Sequence, residues 1–158
     1  MEKTGFGNLY EEKDRETMRI AEDSLDPKVD RVAEIMNFAR EGNIKRIGIA
    51  NCITFEKEAQ ELEHMLLADG FEVVRANCKY GRMPNEEILP GYKGISCNPA
   101  GQADFLKKGK SELNIVMGLC LGHDMVFNAK SHTLTTALVV KDRKLGHHTL
   151  EKFNKQQI

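Results

Sequence analysis

The stretch Leu113–Phe127 brings three chemically active residue types together at one point of the chain. Its first part, Leu113–Met117, is an apolar run that predicts a buried strand. The Cys120 thiol, the His123 imidazole and the Asp124 carboxylate follow within a few residues, where a helix is predicted to begin. Because ligands bind at the carboxyl ends of the strands in open α/β sheets, this turn is predicted to be a site.

The other cysteines occupy equivalent places in the predicted pattern. The tripeptide Ala-Asn-Cys ends two further predicted strands, so that Cys52 follows residues 46–50 and Cys78 follows residues 71–76. Cys97 precedes Asn98-Pro99, a pair typical of a helix start. Parallel strands end, and the helices after them begin, at the same edge of a sheet. We therefore expect all four thiols to emerge on one side, with Cys52 beside Cys120.

Four converging thiolates suggest a metal centre. Thiolates close tetrahedral zinc sites, and they also anchor iron–sulfur clusters. The spacing of the four cysteines matches neither paired C-x-x-C zinc motifs nor the tight ferredoxin run, so both cofactors stay open. The first hypothesis is a protein that binds zinc or an iron–sulfur cluster through Cys52, Cys78, Cys97 and Cys120, with a role in electron transfer, sensing or metal handling.

Two alternatives use the same residues differently. In the first, the protein is an enzyme in which Cys120 is a nucleophilic or redox-active thiol and His123 is its base. In the second, the cysteines are inert and the protein is a binding module.

Polar residues near the predicted strand ends are candidates for contacting a cofactor. Amide side chains could turn towards sulfur, and lysines and arginines at the rim (Lys79, Arg82, Lys141 and Arg143) could balance thiolate charge or bind a small anionic ligand. The candidate cofactor-binding residues are Asn51, Asn77, Lys79, Asn98, Gln102 and His123.

Alternating strand and helix patterns predict the architecture that positions these residues. They indicate an α/β fold, a three-layer Rossmann-like sandwich with about four mainly parallel strands in the order 2-1-3-4. Two N-terminal helices precede it, the second predicted to begin at Asp26-Pro27. We expect a single domain over residues 1–158, with a loose arm at 1–8, an irregular connection at 79–96 and a frayed tail at 149–158.

Composition excludes several classes of partner. The chain has 23 basic and 24 acidic residues and a formal charge of −1, so no basic field exists to hold nucleic acid. No apolar run is long enough for a membrane span, and the first residues do not resemble a signal peptide. We therefore expect a cytoplasmic protein with reduced thiols that binds neither nucleic acid nor membrane. A homo-oligomer stays open.

Several motifs together resemble a known family. They are the Ala-Asn-Cys strand end, Cys78-Lys79-x-Gly81, the Cys97–Ala103 and Gly118–Asp124 segments, and Val139–Arg143 followed by Leu145-Gly146-His147. The set, over roughly residues 44–147, is similar to an uncharacterised family of small α/β proteins, mostly of anaerobes, labelled only as predicted metal-binding proteins. The resemblance implies that the same four cysteines are ligands, and it implies no reaction. Many members carry further N-terminal cysteines, which this chain lacks.

Overall fold

The structure is a computed structural model, and it describes residues 5–154. The chain divides into two compact units, Met1–Lys45 and Arg46–Ile158, which are described separately. The expected single domain over the whole chain stays a prediction. Within the described residues, no helix combines the length and the apolar character needed to cross a membrane.

The first unit contains the two expected N-terminal helices, α1 (Glu12–Asp23) and α2 (Arg31–Glu41). The predicted start of α2 at Asp26-Pro27 is wrong. Asp26 accepts a hydrogen bond from the Lys28 amide and closes a turn, whereas Asp30 caps the helix by accepting from the Ala33 amide. A second aspartate, four residues later, thus supplies the cap. The expected loose arm contains a short 3-10 helix at Phe6–Leu9, and residues 1–4 lie outside the described part.

The second unit is built around a four-stranded parallel sheet with the order β2-β1-β5-β6. This confirms the predicted order of the four main strands and the Rossmann-like α/β class. The strands are β1 (Arg46–Asn51), β2 (Glu72–Asn77), β5 (Leu113–Met117) and β6 (Leu134–Val139), and the connecting helices are α3 (Glu56–Ala68), α4 (Pro99–Lys108) and α5 (Leu121–Lys130).

Burial along the strands explains this order. Every residue of β5 is buried, and five of the six residues of β1 are buried, as expected for the central strands of a sheet covered on both faces. The edge strand β2 carries the charged residues Glu72 and Arg75 and is more exposed. The register pairs Asn51 with Asn77, so β1 and β2 end at the same level.

The connection between β2 and α4 contains little regular structure, as predicted. It has two short antiparallel strands, β3 (Met83–Pro84) and β4 (Ile95–Ser96), and a 3-10 turn at Asn85–Glu87. The segment brings the chain back to Cys97 at the start of α4. In the expected frayed tail, Glu151–Asn154 forms the short helix α6, and residues 155–158 lie outside the described part.

Candidate functional site

All four cysteines lie at the carboxyl edge of the sheet, at strand ends or helix starts. Cys52 follows β1 and caps a 3-10 turn at Ile53–Phe55, Cys78 follows β2, and Cys120 is the N-cap residue of α5. Cys97 stands one residue before Asn98, the N-cap of α4. All four are free thiols; Cys52 and Cys78 are buried, while Cys97 and Cys120 are partly exposed.

Cys52 and Cys78 form a close pair. Their Sγ atoms lie 3.9 Å apart. The Ile53 amide also donates to Cys78 Sγ at 3.3 Å, so both sulfur atoms meet at the start of the same 3-10 turn. The pairing of Asn51 with Asn77 puts the two residues that precede the cysteines side by side. The repeated Ala-Asn-Cys tripeptide thus has a spatial consequence, because equal strand ends deliver two thiols to one point.

The third and fourth thiols join this pair by different routes. Cys97 lies close enough to Cys78 to raise the pKa of its thiol, and it packs against the apolar cluster that contains Cys52 and Cys78. Cys120 is linked through Lys141, whose Nζ lies 2.6 Å from Cys52 Sγ and 3.8 Å from Cys120 Sγ. The sulfur atoms of Cys52 and Cys120 are therefore no farther apart than the combined length of these two contacts.

Positive charge surrounds the Cys52 and Cys120 thiols. Besides Lys141, the Arg143 guanidinium donates to Cys120 Sγ at 3.2 Å. Burial by itself raises the pKa of the Cys52 thiol, but hydrogen bonds from Lys141 and Thr54 and the Lys141 charge outweigh it and lower that pKa to about 7. Cys52 therefore has substantial thiolate character near neutral pH.

Cys78 differs sharply from its neighbour Cys52. Burial raises the pKa of the Cys78 thiol to about 11; the Ile53 amide opposes this effect, and negative charge on Cys52 or Cys97 adds to it. Near neutral pH the close pair therefore combines a partly ionised Cys52 with a protonated Cys78.

A packed loop holds Lys141 and Arg143 over the sulfur atoms. The His147 ring stacks edge-on against Phe55, with ring centroids 4.6 Å apart. The Asp142 amide donates to His147 Nδ1, and the His147 amide donates to the Asp142 carbonyl. His147 therefore anchors residues 141–147 next to the 3-10 turn after Cys52.

Gly118 makes the approach of Phe55 possible. This glycine ends β5 with a φ of +63°, and a Cβ built on it would overlap the Phe55 ring. Its amide donates to the Val139 carbonyl at 2.7 Å. Both the backbone conformation and the lack of space therefore restrict position 118, in the turn before Cys120, to glycine.

Glu56 ties the two Ala-Asn-Cys turns together. Its Oε2 accepts from Asn51 Nδ2 at 3.0 Å and from Asn77 Nδ2 at 3.2 Å, and its Oε1 accepts from Arg75 at 2.7 Å. Burial raises the pKa of this carboxyl, but the bonds from Asn51, Arg75 and Asn77 hold it below its usual range.

The two asparagine amides, expected to turn towards sulfur, thus contact Glu56 instead. Sequence reasoning missed Glu56, although a carboxylate four residues after Cys52, beside a duplicated Asn-Cys, was a usable signal.

Gln102 joins the same strand ends from α4. It is fully buried, and its Nε2 donates to the carbonyls of Asn51 and Ala76. Within the described residues, Gln102 Oε1 and Asn51 Oδ1 are buried acceptors without a hydrogen-bond donor. Buried polar atoms are nearly always paired in proteins, so two unpaired acceptors beside the thiols mark this edge as unusual.

The remaining candidates lie farther from the sulfur atoms or have structural roles. Asn98 caps α4 by accepting from the Gly101 amide, and it donates to the Gly81 carbonyl. Lys79 and Arg82 are exposed. In the described part of the chain, no hydrogen bond joins the partly buried His123 to Cys120. The structure thus does not pair the two residues proposed as nucleophile and base.

The four thiols form a linked set rather than a preformed cage. Within residues 5–154, no group of three or more His, Cys, Asp or Glu side chains already has the arrangement needed to hold a metal ion. The donor chemistry nevertheless suits a soft metal ion, because four thiols, one of them with a lowered pKa, meet at one edge. Lys141 also lines a small, mostly apolar pocket with Leu119, Leu121, Asp124, Ala137, Val139 and Val140.

Comparison with known proteins assigns the chain to a family. Residues 5–138 match the family described as "Protein of unknown function (DUF1847)". The chain belongs to this family. The thiol site is thus a site in a member of the DUF1847 family.

The chain is also similar to an uncharacterised archaeal protein. The chain is 39% identical over 152 residues to "Uncharacterized protein MJ0455" of Methanocaldococcus jannaschii, an alignment that covers 89% of this chain and 78% of the relative. No solved structure matches the chain.

Proposed function

We propose that this DUF1847 protein binds a thiophilic divalent metal ion, with zinc as the best match, through Cys52, Cys78, Cys97 and Cys120. The observation that carries the proposal is the 3.9 Å separation of the Cys52 and Cys78 sulfur atoms. Two thiolates on one tetrahedral zinc ion, each about 2.3 Å from the metal, lie roughly 3.8 Å apart. The pair therefore already has the spacing of two ligands of a single ion.

The same distance favours a single ion over a [4Fe–4S] cluster. Each cysteine of a [4Fe–4S] cluster binds a different iron atom, so the cysteine sulfur atoms stand farther apart than on one ion, whereas a [2Fe–2S] cluster holds two cysteines on each iron and fits the same spacing. An iron–sulfur cluster is thus the alternative cofactor, and metal analysis separates the two.

Charge balance supports the assignment of all four thiols. Zinc with four thiolates carries a net charge of −2, and the cationic groups of Lys141 and Arg143 would offset it. Because Lys141 contacts Cys52 and Cys120 through the sulfur atoms themselves, a bound ion would displace its ammonium. Cys97 and Cys120 would then turn towards the ion. A small anionic ligand at these cations stays a prediction.

Accessibility favours metal handling as the role. Cys97 and Cys120 are partly exposed, so an ion could enter and leave from solvent. Zinc is not redox-active, so transfer, storage or sensing of the ion are the roles that suit it. We propose that this happens in a reducing cytoplasm, where thiols stay free.

Metal analysis of protein purified without oxygen tests the proposal. We expect about one zinc per chain, and we expect Cys52→Ser to reduce binding strongly while the exposed-residue control His148→Ala retains it. Iron and sulfide in place of zinc would support the cluster. Metal-free protein with four freely titrating thiols that takes up no added zinc would contradict both.

A second candidate function is thiol catalysis, and the contact between Lys141 and Cys52 favours it. A thiolate stabilised by an ammonium is the form in which cysteine attacks electrophiles. The sequence-based version, with Cys120 as nucleophile and His123 as base, stays a prediction. Alkylation rates mapped by mass spectrometry distinguish the two mechanisms. Fastest alkylation at Cys52 would support catalysis by Cys52, and a Cys120 that reacts no faster than a free thiol would exclude catalysis by Cys120.

A further inference from the structure

The close pair Cys52 and Cys78 has a use that metal binding does not require. We propose that, in the metal-free protein, these two cysteines reduce a hydroperoxide and become an intramolecular disulfide. The inference rests on the geometry of the pair; only its consequence for a bound metal rests on the proposed function.

The positions of the sulfur atoms favour bond formation between them. At 3.9 Å they are in contact, while their attachment to adjacent, in-register strand ends limits how far they can separate. Disulfides form only between side chains that approach closely, as these two do. By contrast, Cys120 is linked to Cys52 through Lys141 rather than directly.

The surroundings assign different roles to the two sulfur atoms. The Lys141 ammonium at 2.6 Å stabilises negative charge on Cys52 Sγ, which makes Cys52 the attacking sulfur. Cys78 Sγ accepts from the Ile53 amide, and among the described residues no hydrogen bond joins Cys78 to Lys141, which suits the second, resolving thiol.

Burial restricts the oxidant to a small molecule. The relative exposures of Cys52 and Cys78 are 6% and 4%. A disulfide on another folded protein could not reach either sulfur atom without local opening, whereas hydrogen peroxide or a small alkyl hydroperoxide is little larger than water. The chemical class of the substrate is therefore a small hydroperoxide.

The reaction balances in two steps. Cys52 thiolate attacks the hydroxyl-bearing oxygen of the hydroperoxide and the O–O bond breaks, so that Cys52 becomes a sulfenic acid. The departing alkoxide or hydroxide takes a proton from the Lys141 ammonium, and water then restores that proton. The Cys78 sulfur then attacks Cys52 sulfur, the S–O bond breaks, and the hydroxyl leaves as water with the Cys78 proton. Two thiols are oxidised, and one hydroperoxide is reduced to an alcohol, or to water, plus one water.

Disulfide formation would also remove two of the four proposed metal ligands. A bound ion and the oxidised pair are then mutually exclusive, so peroxide would release the metal and a bound metal would protect the pair.

The test is a stoichiometric oxidation of the reduced, metal-free full chain by hydrogen peroxide without oxygen. We expect one equivalent to consume two thiols per chain, and peptide mass mapping to find a Cys52–Cys78 disulfide within one chain. Cys97→Ser should form the same disulfide. Lys141→Met should slow the reaction by about tenfold, because Cys52 loses the stabilising cation.

Three results would overturn the inference: a disulfide between other cysteines, loss of single thiols to sulfinic acid, or an unchanged rate in Lys141→Met. Mapping of the unmodified chain suffices even if a variant fails to fold.

A zinc-binding arm on the same preparation separates the two proposals. A chain that binds no zinc but forms the disulfide rejects only the metal centre, and a chain that binds zinc but forms no disulfide rejects only this inference.

Discussion

The two ends of the central strands differ in how completely their buried polar side chains are hydrogen-bonded. Near the amino end of β5, the buried Asn114 accepts from Ser111 Oγ at 2.7 Å and donates to Ser131 Oγ at 2.9 Å. Gly48 on the neighbouring strand leaves room for this amide, since a Cβ built there would overlap Asn114 Oδ1. Thr135 donates to the same Ser131 hydroxyl, so the cluster is closed by its own side chains.

At the carboxyl end, some buried polar groups have no hydrogen-bond partner among the described residues. Asn51 Oδ1 and Gln102 Oε1 lack donors among the described residues, and the thiols contact cations from a loop. Satisfied networks fix one packing arrangement, whereas unsatisfied groups and unpaired thiols are typical of functional sites. The comparison supports a structural role for the Asn114 cluster and the functional role that we propose for the thiol edge.

The largest expected effect concerns the Asn114 cluster. Asn114→Ala should lower the free energy of unfolding by about 2–4 kcal/mol, because it removes the two buried hydrogen bonds to Ser111 and Ser131 and opens a cavity. Denaturant unfolding measures this change. The reactivity order of the four thiols, measured by alkylation under native conditions, should stay as in the parent protein.

A loss below about 1 kcal/mol would contradict the structural role of the Asn114 cluster. A changed order of thiol reactivity in the folded variant would contradict the separation of the two ends.

A second, smaller effect is expected from the carboxylate that holds the Asn-Cys turns. Glu56→Ala should weaken zinc binding by roughly 10–100-fold, the usual range for a residue that orients metal ligands. Glu63→Ala is the matched control, because Glu63 also binds Arg75 at 2.7 Å and is equally exposed, at 27% against 28%. Competition with a chromogenic chelator gives both affinities.

If Glu63→Ala weakens binding as much as Glu56→Ala, the effect comes from Arg75 and not from the asparagines. Equal affinity in Glu56→Ala and the parent protein would remove Glu56 from the site.

These contrasts show what the sequence could and could not predict. Strand alternation and the fixed handedness of parallel crossovers determine which ends share an edge, so the meeting of Cys52, Cys78, Cys97 and Cys120 was predictable. The contacts of Lys141 depend on a loop that His147 anchors against Phe55, a pairing across the fold that no local pattern encodes. The start of α2 was misplaced because Asp26 and Asp30 are both suitable N-cap residues, and the helix uses Asp30.

The third prediction concerns the charge on Cys52. In metal-free protein, the Cys52 thiol should ionise with a pKa of about 7, below the ordinary cysteine value, so its alkylation rate should rise through neutral pH. The stability that this thiolate contributes is present above the unfolded-state pKa and is lost as the pH falls through about 7. Lys141→Met should raise the midpoint by about one pKa unit or more.

The exposed Lys144→Met is the control for general loss of positive charge, and it should leave the midpoint in place. A midpoint in the ordinary cysteine range in the parent protein, or one unmoved by Lys141→Met, would reject the ion pair between Lys141 and Cys52.

The most direct test of the metal centre is titration of the reduced chain with cobalt(II), the spectroscopic substitute for zinc, without oxygen. We expect saturation at one equivalent, with intense thiolate-to-cobalt charge transfer and visible bands of a tetrahedral, four-thiolate site, all abolished by zinc. Weak bands of octahedral cobalt, without charge transfer and unchanged when Cys52 and Cys78 are replaced by serine, would contradict it.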